Sequence, residues 1–265
     1  MSTAAARGRG GKLLVTGAGG FIGRALCAGL AAAGVPHVGA VRALAHGDAD
    51  RRDTVALGDF AAADWGPALR DVDTVVHLAG RAHALPGRDS DEPTPFVVGN
   101  VHVTRRLLDA AVVAGVRRVV LASTVKVYGE ATPPGRPFRA GDAAAPQDAY
   151  AHSKASAEAV LWHACRTGAI EGVVLRLPLT YGPGVKGNFA RLLEAVAAER
   201  RLPLAGIRNR RTMLYVGNAV SAIEAAVTVP ALRGETLPVA DAESMSTSEL
   251  IERLARELGV EARLY

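Results

Sequence analysis

Apolar residues follow two alternating patterns along the first two thirds of the chain. Short continuous runs, each closed by small or polar residues, predict strands buried on both faces at Lys12–Thr16 (KLLVT), His37–Val41, Thr54–Leu57, Thr74–Leu78, Arg118–Ala122 and Gly172–Leu177. Between them apolar residues recur at helical spacing. Phe21–Ala33 carries Phe21, Ile22, Leu26 and Leu30 on one face, with Gly34 just past its end. Phe96–Ala114, ending at Gly115, and Tyr150–Thr167 read as longer helices. Strands alternating with helices imply parallel βαβ units, hence an α/β fold with a doubly wound parallel sheet.

The rhythm changes after Leu177. Pro178, Gly182, Pro183, Gly184 and Gly187 crowd together into a structured loop. Asn188–Ala198 then reads as a helix, Thr212–Val216 as a short strand and Asn218–Val229 as a helix. Ser246–Leu258 opens with the capping-box pair Ser246 and Glu249. The expected organisation is a flexible tail over residues 1–11, a nucleotide-binding domain over 12–177, and a smaller lobe over 178–265 that is partly interleaved with the sheet. In open α/β folds ligands bind at the carboxyl edge of the sheet.

Composition narrows the function classes. The 265 residues are 49% hydrophobic and 22% charged, as in an ordinary globular protein. Net charge is +5, but aromatics are only 5% and no basic helix with interleaved aromatics occurs, which argues against nucleic-acid binding. Cys27 and Cys165 sit on separate predicted helices and make neither a disulfide framework nor a zinc site, so no metal is expected. The segment MSTAAARGRGG lacks a signal peptide's apolar core, and no apolar run approaches the roughly 18 residues of a membrane span. A cytoplasmic protein with no membrane partner is expected.

The turn after the first strand reads Thr16-Gly17-Ala18-Gly19-Gly20-Phe21-Ile22-Gly23. Glycines at 17, 20 and 23 let the chain turn tightly, bring backbone up to a pyrophosphate and start the helix close to the strand. This placement, after an apolar strand and before an amphipathic helix, predicts a Rossmann dinucleotide site. At the end of the second strand an acid would bond the adenosine ribose and favour NAD. The chain has Val41-Arg42 there, and a guanidinium suits the 2′-phosphate of NADP. NADP(H) is therefore favoured and NAD(H) remains possible, with Asp48 or Asp50 as alternative ribose partners. Asp59, followed by Phe60 after the third strand, is either an acceptor for the adenine amino group or a turn residue. Leu78, Ala79 and Gly80 follow His77 where the chain passes under the cofactor; His77 itself reads as a packed or hydrogen-bonded histidine.

Tyr150-Ala151-His152-Ser153-Lys154 opens a helix, and residues four apart share a face. A tyrosine of pKa about 10 is a poor base, and a lysine ammonium one turn away is expected to lower it. Tyr150 can then exchange a proton with a hydroxyl during hydride transfer, with Lys154 also reaching the nicotinamide ribose. A hydroxyl at the end of the fifth strand would bond the reacting oxygen; Thr124 is the first choice and Ser123 the second. His152 and His163 read as helix-surface residues.

In this order VTGAGGFIG, HLAG, Asn100, STVKVYGE, YAHSK, LRLPLTYGPG and RRTMLYV resemble the extended short-chain dehydrogenases/reductases, specifically the NAD-dependent epimerase/dehydratase group with its UDP-hexose 4-epimerase-like and 4-ketoreductase-like branches. The resemblance covers roughly residues 12–260. It implies a catalytic Thr124, Tyr150 and Lys154, with Pro178 beside the nicotinamide. It also implies that Asn188 and Arg211 hold the diphosphate of a nucleotide-sugar substrate, and that a homodimer forms through the 96–114 and 150–167 helices. The chain departs from the pattern at Arg42, where an acid is usual, and at Gly217, where an aspartate often follows Tyr-Val and supplies a structural hydrogen bond. Relatives usually continue past the position of Tyr265 with more of the substrate lobe. The expected activity is C4 alcohol–ketone interconversion on a nucleotide sugar, as a 4-epimerase or a 4-keto-6-deoxy-sugar reductase. A 4,6-dehydratase is disfavoured because STVKVYG lacks the Asp-Glu pair such enzymes place after the threonine. The alternative from another class is a non-catalytic NADP-binding sensor.

Overall fold

A computed structural model describes residues 11–44, 53–82, 93–133 and 135–265. Asp48 and Asp50, the alternative ribose partners, lie outside these residues. The chain forms two compact units: residues up to Leu177 with Val220–Pro238, and Pro178–Ala219 with Val239–Tyr265.

In the first unit seven strands make one parallel sheet: β1 (Lys12–Thr16), β2 (His37–Val41), β3 (Thr54–Ala56), β4 (Val72–His77), β5 (Arg118–Thr124), β6 (Glu171–Leu177) and β10 (Thr236–Pro238). Their order is β10-β6-β5-β4-β1-β2-β3, which is the doubly wound Rossmann arrangement with one added edge strand. The order reverses beside β1, so the β1–β4 border is where a ligand crevice is expected. The central strands are buried on both faces, which is why they read as unbroken apolar runs. Leu14, Val75, Leu107, Leu121 and Leu161 sit at the centre of this core.

The helices α1 (Phe21–Ala32), α3 (Val103–Val113) and α4 (Ala149–Arg166) cover the sheet. The predicted helix Phe96–Ala114 is not uniform. A short α2 (Thr94–Phe96) runs into a π-helical stretch, Val97–His102, before α3 begins. The widened turns carry Asn100, buried at 1% exposure; π-bulges occur often at functional sites.

The chain leaves this unit at Pro178 and returns within α6 (Val216–Thr228), where the sequence pattern placed Asn218–Val229. Buried Arg118 fixes the end of α6. Its Nη1 donates to the carbonyls of Ala226, Val227 and Val229, while Nε and Nη2 hold Glu171. Strand β10 follows, unannounced by the apolar pattern. It is three residues long and ends in Pro238, which an edge strand tolerates.

The second unit has two small ladders. β7 (Thr180–Tyr181) runs parallel to β9 (Leu214–Tyr215), and β8 (Arg211–Thr212) antiparallel to β11 (Ser244–Met245). α5 (Asn188–Ala197) and α7 (Thr247–Leu258) bury Val196, Ile251 and Ala255 between them. The capping box at Ser246 and Glu249 is present, and Gly259 ends α7 in the left-handed conformation. The carboxylate expected at position 217 is supplied from elsewhere. Asp241 accepts the Tyr215 amide at 2.9 Å, Asn218 Nδ2 at 2.7 Å and the Tyr181 hydroxyl at 3.2 Å, placing a negative charge at the start of α6.

Candidate functional site

The turn between β1 and α1 can be built only with glycine at two of its positions. Gly17 has φ +71°, and a Cβ there would lie 2.8 Å from the Ala79 amide nitrogen. A Cβ on Gly23 would lie 2.2 Å from the Gly17 carbonyl oxygen. The first strand, the turn and the Leu78–Gly80 segment therefore meet backbone to backbone. Gly19 and Gly20 are exposed, Phe21 and Ile22 half-buried. α1 starts at Phe21 with neither a side-chain cap nor an acid in its first turn, so its amide end suits an anion such as a pyrophosphate. These features fit a dinucleotide.

Around this cradle the other predicted residues are placed as follows. Arg42, just past the end of β2, is exposed. Asp59 accepts the Ala61 amide at 3.1 Å in a tight turn. The Phe60 ring packs in the core on Trp65, centroids 5.0 Å apart, so its side chain faces away from solvent. Ala79 is buried and Gly80 exposed. His77 is fully enclosed between Thr16 Oγ1 at 2.7 Å and Thr104 Oγ1 at 3.0 Å. Burial, with the Lys154 charge nearby, pushes its pKa down to about 3, so His77 is a neutral strut.

Tyr150 is the second residue of α4. Asp148 caps the helix, accepting the Ala151 amide at 2.6 Å, and also pairs with Lys126 at 2.5 Å. The Tyr150 ring lies against buried Phe96, with centroids 6.1 Å apart. Thr124, the last residue of β5, faces Tyr150, and its side chain favours the ionised phenol. The neighbouring hydroxyl points elsewhere, because Ser123 donates to the buried carboxylate of Glu158. Of the two strand-end hydroxyls, then, Thr124 is the one that meets the phenol.

The phenol of Tyr150 is raised, not lowered: burial dominates and the Asp148 charge adds to it, against the Thr124 side chain and the Lys126 charge. Lys154 lies one turn on and is 6% exposed. Burial lowers its own pKa to about 8 despite the opposing pull of Glu158. The lysine thus loses its charge before a raised phenol would ionise. Tyr150 is therefore a neutral phenol, one helical turn from a lysine still largely protonated at pH 7.

Sequence reasoning gave Asn100 no role, yet its side chain ties three segments together. Its Oδ1 accepts the Arg81 amide at 2.7 Å, and its Nδ2 donates to the Arg81 carbonyl at 3.0 Å and to Ser153 Oγ at 2.8 Å. Ser153 in turn donates to the Tyr150 carbonyl at 2.7 Å. A Cβ on Gly80 would lie 2.8 Å from Asn100 Oδ1 and 3.9 Å from Lys154 Nζ, so the Leu78–Gly80 turn and the α4 residues adjoin. Glu158 and Arg176 were also missed; they form a buried pair, with Nη2–Oε2 at 2.6 Å.

In the second unit Pro178 is half-buried, and Asn188 is the exposed first residue of α5. Arg211 is exposed on β8, whereas Arg210 is engaged with Ser244 at 3.1 Å and Glu249 at 3.7 Å. Among the described residues no helix is long and apolar enough to cross a membrane, and no group of three or more His, Cys, Asp or Glu is placed to hold a metal ion.

Comparison with known proteins agrees with this architecture. A UDP-glucose 4-epimerase of Vibrio cholerae is 34% identical over 201 residues, 75% of this chain and 61% of that protein's length. A Kitasatospora kifunensis dTDP-6-deoxy-L-talose 4-dehydrogenase (NAD(P)(+)) is 36% identical over 199 residues, 71% of this chain and 58% of its own. Each of these matches spans less than two thirds of the relative. Among solved structures, a UDP-glucuronic acid 4-epimerase from Bacillus cereus in complex with NAD superposes with a TM-score of 0.83 at 26% identity, covering 96% of this chain and 85% of that one. The profile of the NAD dependent epimerase/dehydratase family matches residues 13–239. With its glycine cradle, doubly wound sheet and Tyr150/Lys154 helix, the chain belongs to the NAD dependent epimerase/dehydratase family.

Proposed function

We propose that the chain interconverts a secondary alcohol and a ketone at C4 of a nucleotide sugar, as a 4-epimerase dependent on a nicotinamide dinucleotide. The reading rests on the Thr124 side chain facing Tyr150 at the head of the helix that carries buried Lys154. Relatives named as UDP-glucose and UDP-glucuronic acid 4-epimerases support C4 as the carbon.

The backbone at Gly17, Gly19, Gly20, Phe21, Ile22 and Gly23 would take the pyrophosphate, Asp59 and the backbone of Phe60 the adenine side, and Leu78, Ala79 and Gly80 the underside of the dinucleotide. Pro178 is assigned to the nicotinamide, and Asn188 and Arg211 to the substrate diphosphate. When bound, the dinucleotide supplies hydride acceptor and donor, and its oxidised ring carries a positive charge. The chain's own residues handle the proton. Held as a phenol, Tyr150 donates to the oxygen of a ketone being reduced, and Thr124 bonds the same oxygen and fixes its direction. In the reverse sense the phenolic oxygen must accept the hydroxyl proton. The Lys154 ammonium, and any further positive charge brought near, stabilise the phenolate that precedes this step. The Asp148 cap and its bond to Lys126 keep Tyr150 at a fixed height on α4.

A second reading is supported by one feature: exposed Arg42 stands where an acid would read the adenosine ribose. It would make the chain a 4-keto-sugar reductase fed by NADPH, in keeping with the NAD(P)(+) in the name of the Kitasatospora relative. Mass spectrometry of nucleotide released on denaturation separates the two. Stoichiometric NAD or NADH supports the epimerase, which recycles a retained cofactor. An empty site that takes up NADPH in preference to NADH supports the reductase.

A further inference from the structure

Glu158 and Arg176 are two buried charges, paired with each other, for which the proposed mechanism has no use. They are 4% and 7% exposed. The packing of α4 on the sheet brings them together. Ser123 of β5 pairs with Arg176 of β6, so the two side chains emerge on the same face. Glu158, on α4 across that face, accepts from both. Arg176 binds it with Nε at 3.1 Å and Nη2 at 2.6 Å, and Ser123 donates its hydroxyl. The Arg176 guanidinium also lies 4.2 Å from the centre of the Tyr128 ring, in the turn after Thr124. Both carboxylate oxygens are thus hydrogen-bonded, and the network joins β6 to β5 and α4, the elements that carry Thr124 and Tyr150.

A buried ion pair is weak evidence of stabilisation, because apolar side chains of similar volume often serve as well. The position on α4 suggests a different purpose. Glu158 follows Lys154 by four residues, so the two share a helical face, and both are enclosed. We infer that Glu158 is a positioning residue of the reaction: its carboxylate is the internal counter-charge that keeps Lys154 an ammonium beside Tyr150. The inference rests on the roles proposed above for those two residues.

The surroundings of Lys154 leave no other candidate for that counter-charge among the described residues. From β4 comes His77, neutral in its enclosure. The π-helical stretch and α3 bring Asn100 and Thr104, which carry no charge. Past β5, Lys126 is committed to Asp148 and Glu130. From β6 comes Arg176, bound to Glu158 itself. Glu158 is the charge that opposes the effect of burial on Lys154.

The test needs no substrate. The chain has four lysines, Lys12, Lys126, Lys154 and Lys186. In protein labelled at lysine Cε, four resonances can be followed by NMR against pH, with Lys154 assigned by its loss in Lys154→Met. The midpoint for Lys154 is expected at about 8 in the native chain. Glu158→Gln should keep the Ser123 bond and lower that midpoint by about one pH unit. Should this variant misfold around an orphaned guanidinium, Glu158→Gln with Arg176→Met removes both charges; the midpoint should still fall, by less than in the single variant, because a neighbouring cation is lost as well. A Lys154 midpoint unchanged in the folded variant overturns the inference and leaves Glu158 a structural ion pair. With a substrate in hand, the alkaline limb of kcat/KM should move down with the lysine midpoint. If no sugar is turned over, the proposed function fails while the NMR titration still decides the inference.

Discussion

Replacing Lys154 by methionine should make the protein more stable and inactive. The lysine is 6% exposed, and burial drags its pKa from 10.5 to about 8. In the folded state the charged form is therefore disfavoured by about 3 kcal/mol relative to the unfolded chain. Below pH 8 both states are protonated and the whole penalty applies. Between about 8 and 10.5 the folded lysine has lost its proton while the unfolded one keeps it, so the penalty fades and is gone above that range. Methionine fills a similar volume without charge, and Glu158 keeps its bonds from Ser123 and Arg176. Lys154→Met should thus unfold at higher urea at pH 7, with Tm raised by about 2–4 °C per kcal/mol recovered. The advantage should shrink steadily from pH 8 to pH 10.5. Activity should fall by about 10²-fold or more, because no ammonium then favours the phenolate of Tyr150. Urea melts of both proteins at pH 7, 8.5 and 10 check this. A variant less stable than the native chain at pH 7, or a difference that does not change with pH, refutes the reasoning.

Gly23→Ala would force a methyl group to within 2.2 Å of the Gly17 carbonyl oxygen; overpacking of this kind costs about 1–3 kcal/mol. It should abolish dinucleotide binding measured by calorimetry, and binding within a factor of two of the native chain would show that the cradle is not the site. Arg42→Glu should move the ratio of NADPH to NADH affinity at least about tenfold toward NADH; an unchanged ratio would show that Arg42 does not read the 2′-phosphate.

The parts of the fold visible in the sequence are those set by local pattern. Buried parallel strands need apolar runs, and the turn from β1 to α1 needs glycine at 17 and 23, so both appear directly in the letters. The Tyr150/Lys154 spacing is equally local, because a helix puts residues four apart on one face. What depends on long-range pairing was hidden. Strand β10 is three residues added to β6 from far along the chain, and no pattern of its own announces it. Glu158 and Arg176 look like ordinary surface charges until α4 packs on the β5–β6 face and pairs them. The π-helical turns around Asn100 and the raised pKa of Tyr150 are likewise outcomes of burial, which spacing alone does not report. Asp241 illustrates substitution at a distance: a carboxylate 24 places after Gly217 in the sequence serves the start of α6.

The most direct test of the account is proton NMR of UDP-glucose, UDP-galactose, UDP-N-acetylglucosamine and UDP-glucuronic acid, each incubated with NAD and the native chain or Tyr150→Phe. The account predicts that a C4 epimer of at least one sugar accumulates with the native chain and that the variant, still binding cofactor, is slower by about 10²–10⁴-fold. Equal rates in the two proteins, or no conversion of any sugar by cofactor-loaded native chain with NAD and none of 4-keto sugars with NADPH, would contradict it and point to a protein that binds nucleotide without turning over a sugar.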